Sequence, residues 1–173
     1  MPIRRAFAIL NRILPAEEAS AHCDIPCGIY DPHLAQVAAL TVVRMNQLIE
    51  GLEAIGGGGG GPPSKQDRDK YVNSLSRYIA VKEEHAELVK REVRIIRGDF
   101  FKPDNSPANI DELVDGIMKT PSTTRQNVDK AAAEKLLAQV NEFAEAFWKA
   151  KGVETRNVSS NQAAGGEYVV PAA

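Results

Sequence analysis

The chain reads as an all-α protein: an antiparallel four-helix bundle with an N-terminal metal-binding hook. Three observations carry that reading. Apolar residues recur at helical spacing in four separate stretches, divided by links that contain Gly or Pro. No stretch alternates apolar and polar residues as a half-buried strand does. Both cysteines fall in one short segment, His22-Cys23-Asp24-Ile25-Pro26-Cys27, next to a histidine.

With 173 residues the chain suffices for one domain with a core of its own. A hydrophobic content of 43% and a charged content of 25% are ordinary for a soluble protein. The formal net charge of −2 gives no reason to expect a nucleic-acid partner. No apolar run approaches the ~18 residues of a membrane span, so no membrane partner is expected. A disulfide between Cys23 and Cys27 would close too small a loop to stabilise the fold much.

Residues 1–21 read as a cleavable pro-segment. Arg4, Arg5 and Arg12 outweigh Glu17 and Glu18. Asn11 and Arg12 interrupt the apolar run from Ala6 to Leu14, which makes it a poor secretory signal. Ala19-Ser20-Ala21 supplies small residues for a cut directly before His22. A processing protease acting inside the cell, and a cytoplasmic location, follow from this reading.

The bundle is expected over residues 22–152, with the hook at 22–32. Asp31 is the candidate N-cap of the first helix and Pro32 suits its first position. Leu34, Val37, Ala38, Thr41, Leu48, Leu52 and Ile55 mark the apolar face. Gly56 to Gly61, followed by Pro62-Pro63, is a flexible linker. It lacks the G-K-[ST] ending of a phosphate loop, so nucleotide binding is rejected. A second helix is expected from Lys65 to Arg97, with Tyr71, Leu75, Tyr78, Ile79, Leu88, Val89, Val93 and Ile96 inward and Gly98 as C-cap. A shorter helix runs from Ile110 to Lys119 and stops before Pro121. The last starts near Thr124, runs to about Lys151 and buries Leu136, Leu137, Val140, Phe143 and Phe147, with Gly152 beyond its end. The remaining residues, 153–173, read as a mobile tail, and Val169-Val170 alone do not make a strand.

Once freed by cleavage, His22 offers its α-amine and its imidazole. The Cys23 amide nitrogen, deprotonated beside a metal, joins the amine and the Cys23 thiolate in fused chelate rings. Cys27 reaches back over a turn suited by Pro26 and Gly28. Two nitrogens and two sulfurs in a plane suit nickel(II) or copper(II), whereas zinc prefers a tetrahedron. Backbone amides of the turn can point at the sulfurs and tune the site.

The motif H-C-D-x-P-C-G-x-Y-D-P after a cleavable leader resembles the nickel hook of nickel-containing superoxide dismutases. Lys82-Glu83, Ala86-Glu87-Leu88, Lys90, Asp99-Phe100-Phe101-Lys102-Pro103 and Phe147-Trp148 extend the likeness over roughly residues 22–150. The resemblance implies a homohexamer of right-handed four-helix bundles with one nickel ion per subunit. It implies disproportionation of superoxide to dioxygen and hydrogen peroxide through a Ni(II)/Ni(III) cycle. By the same resemblance the ligands are His22 (amine and axial imidazole), Cys23 (amidate and thiolate) and Cys27 (thiolate). Asp24, Pro26, Gly28 and Tyr30 match the supporting shell, with Tyr30 lining the substrate approach. The chain departs from the family pattern where a supporting Glu falls at Ala38, its Arg companion at His85 and a second tyrosine at Phe100. His85 is the candidate to take over the imidazole contact, and His33 reads as a surface residue. Lys102 and Arg77 are candidates for steering a small anion, with solvated surface charge as the plainer reading. The alternative function is a nickel or copper carrier without catalysis. A helical interaction protein with incidental cysteines is a further alternative.

Overall fold

The computed structural model describes residues 28–52 and 62–172. The pro-segment, His22, Cys23, Asp24, Pro26, Cys27 and the glycine run lie outside the described residues.

Four helices form the body: α1 His33–Glu50, α2 Lys65–Ile95, α3 Ile110–Gln126 and α4 Lys130–Ala150. The chain packs α1 against α2 and α4, and α3 against the same pair. The four-helix bundle is therefore as expected, but its surface, ends and tail differ from the sequence reading in five places.

The buried stripe of α1 is rotated from the expected one. Ala35, Ala38, Ala39, Val42 and Val43 face inward, whereas Leu34 and Val37 are 50% and 38% exposed. Small residues at the contact let helix axes approach closely, and the alanine side of α1 meets that need better than its leucine side. Two buried amides finish this face. Gln36 Nε2 donates to Asn141 Oδ1 at 2.9 Å, and Asn46 Oδ1 accepts the Asp129 N–H at 3.1 Å. The second contact fixes the α3–α4 link against α1.

At the end of α2 the chain does not stop at Gly98. It widens into one π-helical turn over Ile96–Phe100, in which Phe101 N–H reaches back to Ile96 O at 3.3 Å. Such turns are rare and recur at functional sites. Arg97 in this turn is bonded to Asp111 of α3 through Nε at 2.7 Å and Nη2 at 2.6 Å.

Pro121 does not end α3, which continues to Gln126 with Pro121 buried inside it. Proline removes one N–H and usually disfavours a helix interior by about 3 kcal/mol. Here it is buried with Thr120 and Thr124, and Thr124 Oγ1 donates to Pro121 O at 2.9 Å. The start of α4 accordingly falls later than Thr124. Asp129 is the N-cap, its carboxylate accepting the Ala132 N–H at 2.9 Å. The inward face of α4, from Leu136 to Phe147, is buried as its spacing predicts.

The tail is the largest correction. Gly152, with φ +73°, turns the chain out of α4 in a Schellman arrangement, Val153 N–H on Trp148 O and Gly152 N–H on Lys149 O, both at 2.9 Å. An antiparallel hairpin follows, β1 Thr155–Ser159 and β2 Glu167–Pro171, paired from Thr155↔Pro171 to Ser159↔Glu167. It lies on α1 and α4, and Val169 is buried between them. Gly166 is required twice over. Its φ of +77° favours glycine, and a Cβ there would meet Leu137 Cδ2 and Leu40 Cδ1 at 3.1 Å.

Lys82 is 2% exposed in the middle of α2, and its Nζ donates to Asn127 O at 2.7 Å, just past the end of α3. Burial holds its ammonium below the usual lysine value of 10.5, partly opposed by neighbouring Glu83. A depressed lysine binds fewer protons in the folded than in the unfolded state, so stability rises with pH through that window and levels off above 10.5. The unfolding free energy of the wild type minus that of Lys82→Met should therefore grow as the pH rises toward 10.5. Parallel urea titrations across that range check this, and a flat or falling difference contradicts it.

Candidate metal centre

The described part of the hook is its exit. Gly28 has φ +81° with nothing within 4 Å of where a Cβ would stand, so backbone conformation and not space selects glycine. Ile29 is 76% exposed, Tyr30 is half-buried against the core and Pro32 is buried. Asp31 Oδ1 accepts the His33 N–H at 2.8 Å, and Pro32 O accepts the Gln36 N–H at 3.1 Å. The N-cap thus falls one residue later than expected, at Pro32, because its carbonyl accepts the first helical bond, while the Asp31 carboxylate still caps the His33 N–H.

Aromatic rings hold this exit from below. Tyr30 lies 6.4 Å from Phe100, ring centre to ring centre, and Phe100 lies 4.5 Å from Phe147. Phe101 closes the seam at 5.1 Å from Phe100 and 5.7 Å from Phe143. The π turn is what allows adjacent residues, Phe100 and Phe101, to meet both Tyr30 and the core. Asn105 fastens its end, Nδ2 donating to Phe100 O at 3.2 Å and Oδ1 accepting the Lys102 N–H at 2.7 Å.

Beside Tyr30 a cleft of about 690 Å³ opens between the hook exit and the end of α2. Tyr30, Asp31, Arg91, Glu92 and Asp99 are among its lining residues. Asp99 Oδ2 is buried and has no hydrogen-bond partner among the described residues. A buried carboxylate oxygen without a donor is costly, so a donor entering from the cleft would be favourable there. Motif reading singled out Asp99 only within the Asp99-Phe100-Phe101-Lys102-Pro103 run, and it missed Arg91 altogether. Nothing in the spacing of α2 distinguished Arg91 from a surface arginine.

The other sequence candidates fall elsewhere. Ala38 is a core residue. His85 Nδ1 lies 2.9 Å from Val81 O, one turn back on its own helix. A carbonyl only accepts, so Nδ1 carries the hydrogen and Nε2 keeps a lone pair. His85 is six residues before Arg91, about 9 Å along the helix axis at the usual rise. Arg77 is fourteen residues before Arg91, about 21 Å by the same measure. Lys102 Nζ donates to Gly98 O at 3.2 Å. Among the described residues no group of three or more His, Cys, Asp or Glu could hold a metal. The donor set of 22–27 therefore has no competitor there. No helix among them is long and apolar enough to cross a membrane.

A bundle with an N-terminal hook exit of this kind is the architecture of a known class of metalloenzyme. The family model for nickel-containing superoxide dismutase matches residues 17–151. Superoxide dismutase [Ni] of Streptomyces coelicolor is 30% identical over 146 residues, which are 83% of this chain and 98% of the relative. The protein of the same name from Streptomyces seoulensis matches to the same extent. Among solved structures, Ni-containing superoxide dismutase with nickel ligation of the oxidised state superposes with a TM-score of 0.62 at 26% identity, covering 76% of this chain and 99% of that one. A native nickel superoxide dismutase structure gives 0.59 at 27% identity, covering 75% and 99%.

The chain belongs to the nickel-containing superoxide dismutase family. It is an oxidoreductase with a nickel cofactor, and the carrier and interaction-protein alternatives fall away.

The cap at the exit gives a local test. Asp31→Ala should lower stability by about 1 kcal/mol and Asp31→Asn by much less, since an amide oxygen still accepts the His33 N–H. Urea unfolding of the two variants measures this, and equal losses would contradict it.

Proposed function

We propose that residues 22–27 carry the nickel, one ion per subunit, after a protease cuts between Ala21 and His22. What supports this reading is the held exit at Gly28–Pro32, which in sequence directly follows the segment carrying both cysteines of the chain and borders a cleft with a buried carboxylate oxygen unpartnered among the described residues. His22 contributes its freed amine and its imidazole, Cys23 its amide nitrogen and thiolate, and Cys27 its thiolate. When bound, nickel supplies the one-electron Ni(II)/Ni(III) cycle that superoxide disproportionation needs.

The chain's own groups make that cycle accessible. The two thiolates and the amidate donate negative charge and lower the potential of the site. Pro26 and Gly28 hold the turn that returns Cys27, and Asp24 supports the hook. Tyr30, fixed by Phe100, walls the approach of the small anion, and Arg91 is the cationic residue of the cleft. One superoxide leaves as dioxygen. The other takes up an electron and two protons and leaves as hydrogen peroxide.

A homohexamer and a cytoplasmic setting complete the reading. The exposed Ile29, Leu34 and Val37 at the hook exit are apolar surface that a neighbouring copy would cover. Reduced thiols suit an intracellular compartment.

Intact-mass and metal analysis test the ligand set. Processed wild type should begin at His22 and hold one nickel per chain. Cys23→Ser, Cys27→Ser and the chain retaining residues 1–21 should hold none and lose activity. His22→Gln should keep nickel and lose most turnover, since its amine remains. Full activity of the uncut chain would overturn the reading.

His85 is read as support for the His22 imidazole, through the Nε2 lone pair that its bond to Val81 leaves available. His85→Ala should lower turnover by roughly 10–100-fold without releasing nickel. Unchanged turnover, measured at equal nickel content, would remove His85 from the site.

A further inference from the structure

We propose that the C-terminal hairpin is a brace for the hook exit, with Tyr168 as a positioning residue that holds the first turn of α1. The proposal rests on the reading of 22–27 as the nickel hook. It concerns a part of the chain beyond the family match, which ends at residue 151, whereas β1 begins at Thr155.

The first turn of a helix is its weakest part, because its early N–H groups lack partners and its end frays. In α1 that turn has no acidic residue to favour it electrostatically, and only Asp31 caps it. His33 is its first residue and immediately follows the hook exit. The Tyr168 ring meets the His33 ring edge-on, with centres 5.1 Å apart. Fraying of this turn would swing Tyr30 off Phe100 and carry residues 22–27 with it.

A two-stranded hairpin is marginal by itself and holds nothing unless it is itself held. Here it is fixed at three further points. Asn141 Nδ2 donates to Glu167 O at 3.0 Å while Asn141 Oδ1 accepts from Gln36, so one α4 side chain links β2 to α1. Gln47 Nε2 donates to Ala164 O at 3.0 Å. Gly166 lies flat on Leu40 and Leu137, and Val169 is buried beside it. The hairpin therefore spans α1 from His33 to Gln47. Burial raises the Tyr168 hydroxyl above its usual value, so the ring stays neutral over the whole working range.

The test reads the exit directly and the metal separately. Amide hydrogen exchange at His33 and Gln36, whose N–H groups are bonded to Asp31 Oδ1 and Pro32 O, is measured in the metal-free full chain, and nickel release to a chelator in the processed, loaded protein. An edge-on aromatic pair amounts to roughly 2–10-fold in an equilibrium, and the lost ring burial adds to it. Tyr168→Ala should therefore speed exchange at those amides by about tenfold and speed nickel release in step. Tyr168→Phe should restore both, because the ring and not the hydroxyl meets His33. Should Tyr168→Ala fail to fold by circular dichroism, Tyr168→Leu takes its place, keeping bulk without a ring. Val89→Ala, in the core of α2, serves as a control of lowered melting temperature and should leave exchange at His33 and Gln36 unchanged.

Unchanged exchange in Tyr168→Ala would overturn the brace. Faster exchange with wild-type nickel release would overturn the positioning role. A wild type that binds no nickel would defeat the hook reading on which the positioning role depends, while exchange would still decide whether the hairpin holds the turn.

Discussion

The segment Gly28–Pro32, which the proposed ligands precede in sequence, has to be held at one point on the bundle, and the structure around it serves that constraint. A short ligand-bearing segment cannot orient itself, since it has no core of its own. The described chain that follows it is fixed at Asp31-Pro32, where a carboxylate accepts the His33 N–H and a buried proline caps the helix. Beneath that point Tyr30 rests on Phe100, and Phe100 on Phe147, so the exit is anchored to the aromatic centre of the fold. The π turn serves the same end. A regular helix through residue 100 would present successive side chains about 100° apart, whereas the wider turn brings Phe100 to Tyr30 and Phe101 to Phe143.

Much of this was legible in the residues themselves. The hook motif led to the family, because few sequence patterns place an amine, an imidazole and two thiols so near one another. The helices were legible from periodicity, and Asp31 and Gly152 marked their ends for physical reasons that hold in the structure. What was not legible depended on partners distant in sequence. Leu34 and Val37 look like a core face, yet alanines on the adjoining stripe pack there, because closeness to α2 decides and not hydrophobicity alone. Pro121 reads as a stop, yet α3 runs on through it to Gln126 with the ring buried, since packing against the neighbouring helices outweighs the lost N–H.

The hairpin was hidden for a different reason. Thr155-Arg156-Asn157-Val158-Ser159 has little β-branched apolar content, and in β2 only Val169 is fully buried. A strand pair that rests one face on helices and leaves the other to water needs few apolar residues, so its signal is weak. The motif offers the proposed ligands but says nothing of the frame beside them. Arg91 and the unpartnered Asp99 oxygen belong to the cleft through tertiary placement, which no local spacing encodes.

Gly166 has a consequence for how this fold varies among related chains. Apart from Tyr168 and the buried Val169, the strand side chains of the hairpin are exposed or half-buried and little constrained by the core. The turn into β2 is less tolerant, because its left-handed backbone strains any side chain and the two leucines beneath it would have to give way to one. In a chain extended past α4, a glycine pair directly before a Tyr-Val-Val-like strand is thus a fingerprint of a docked hairpin. An extension of similar length without that pair would trail in solvent, and length alone would not tell the two apart.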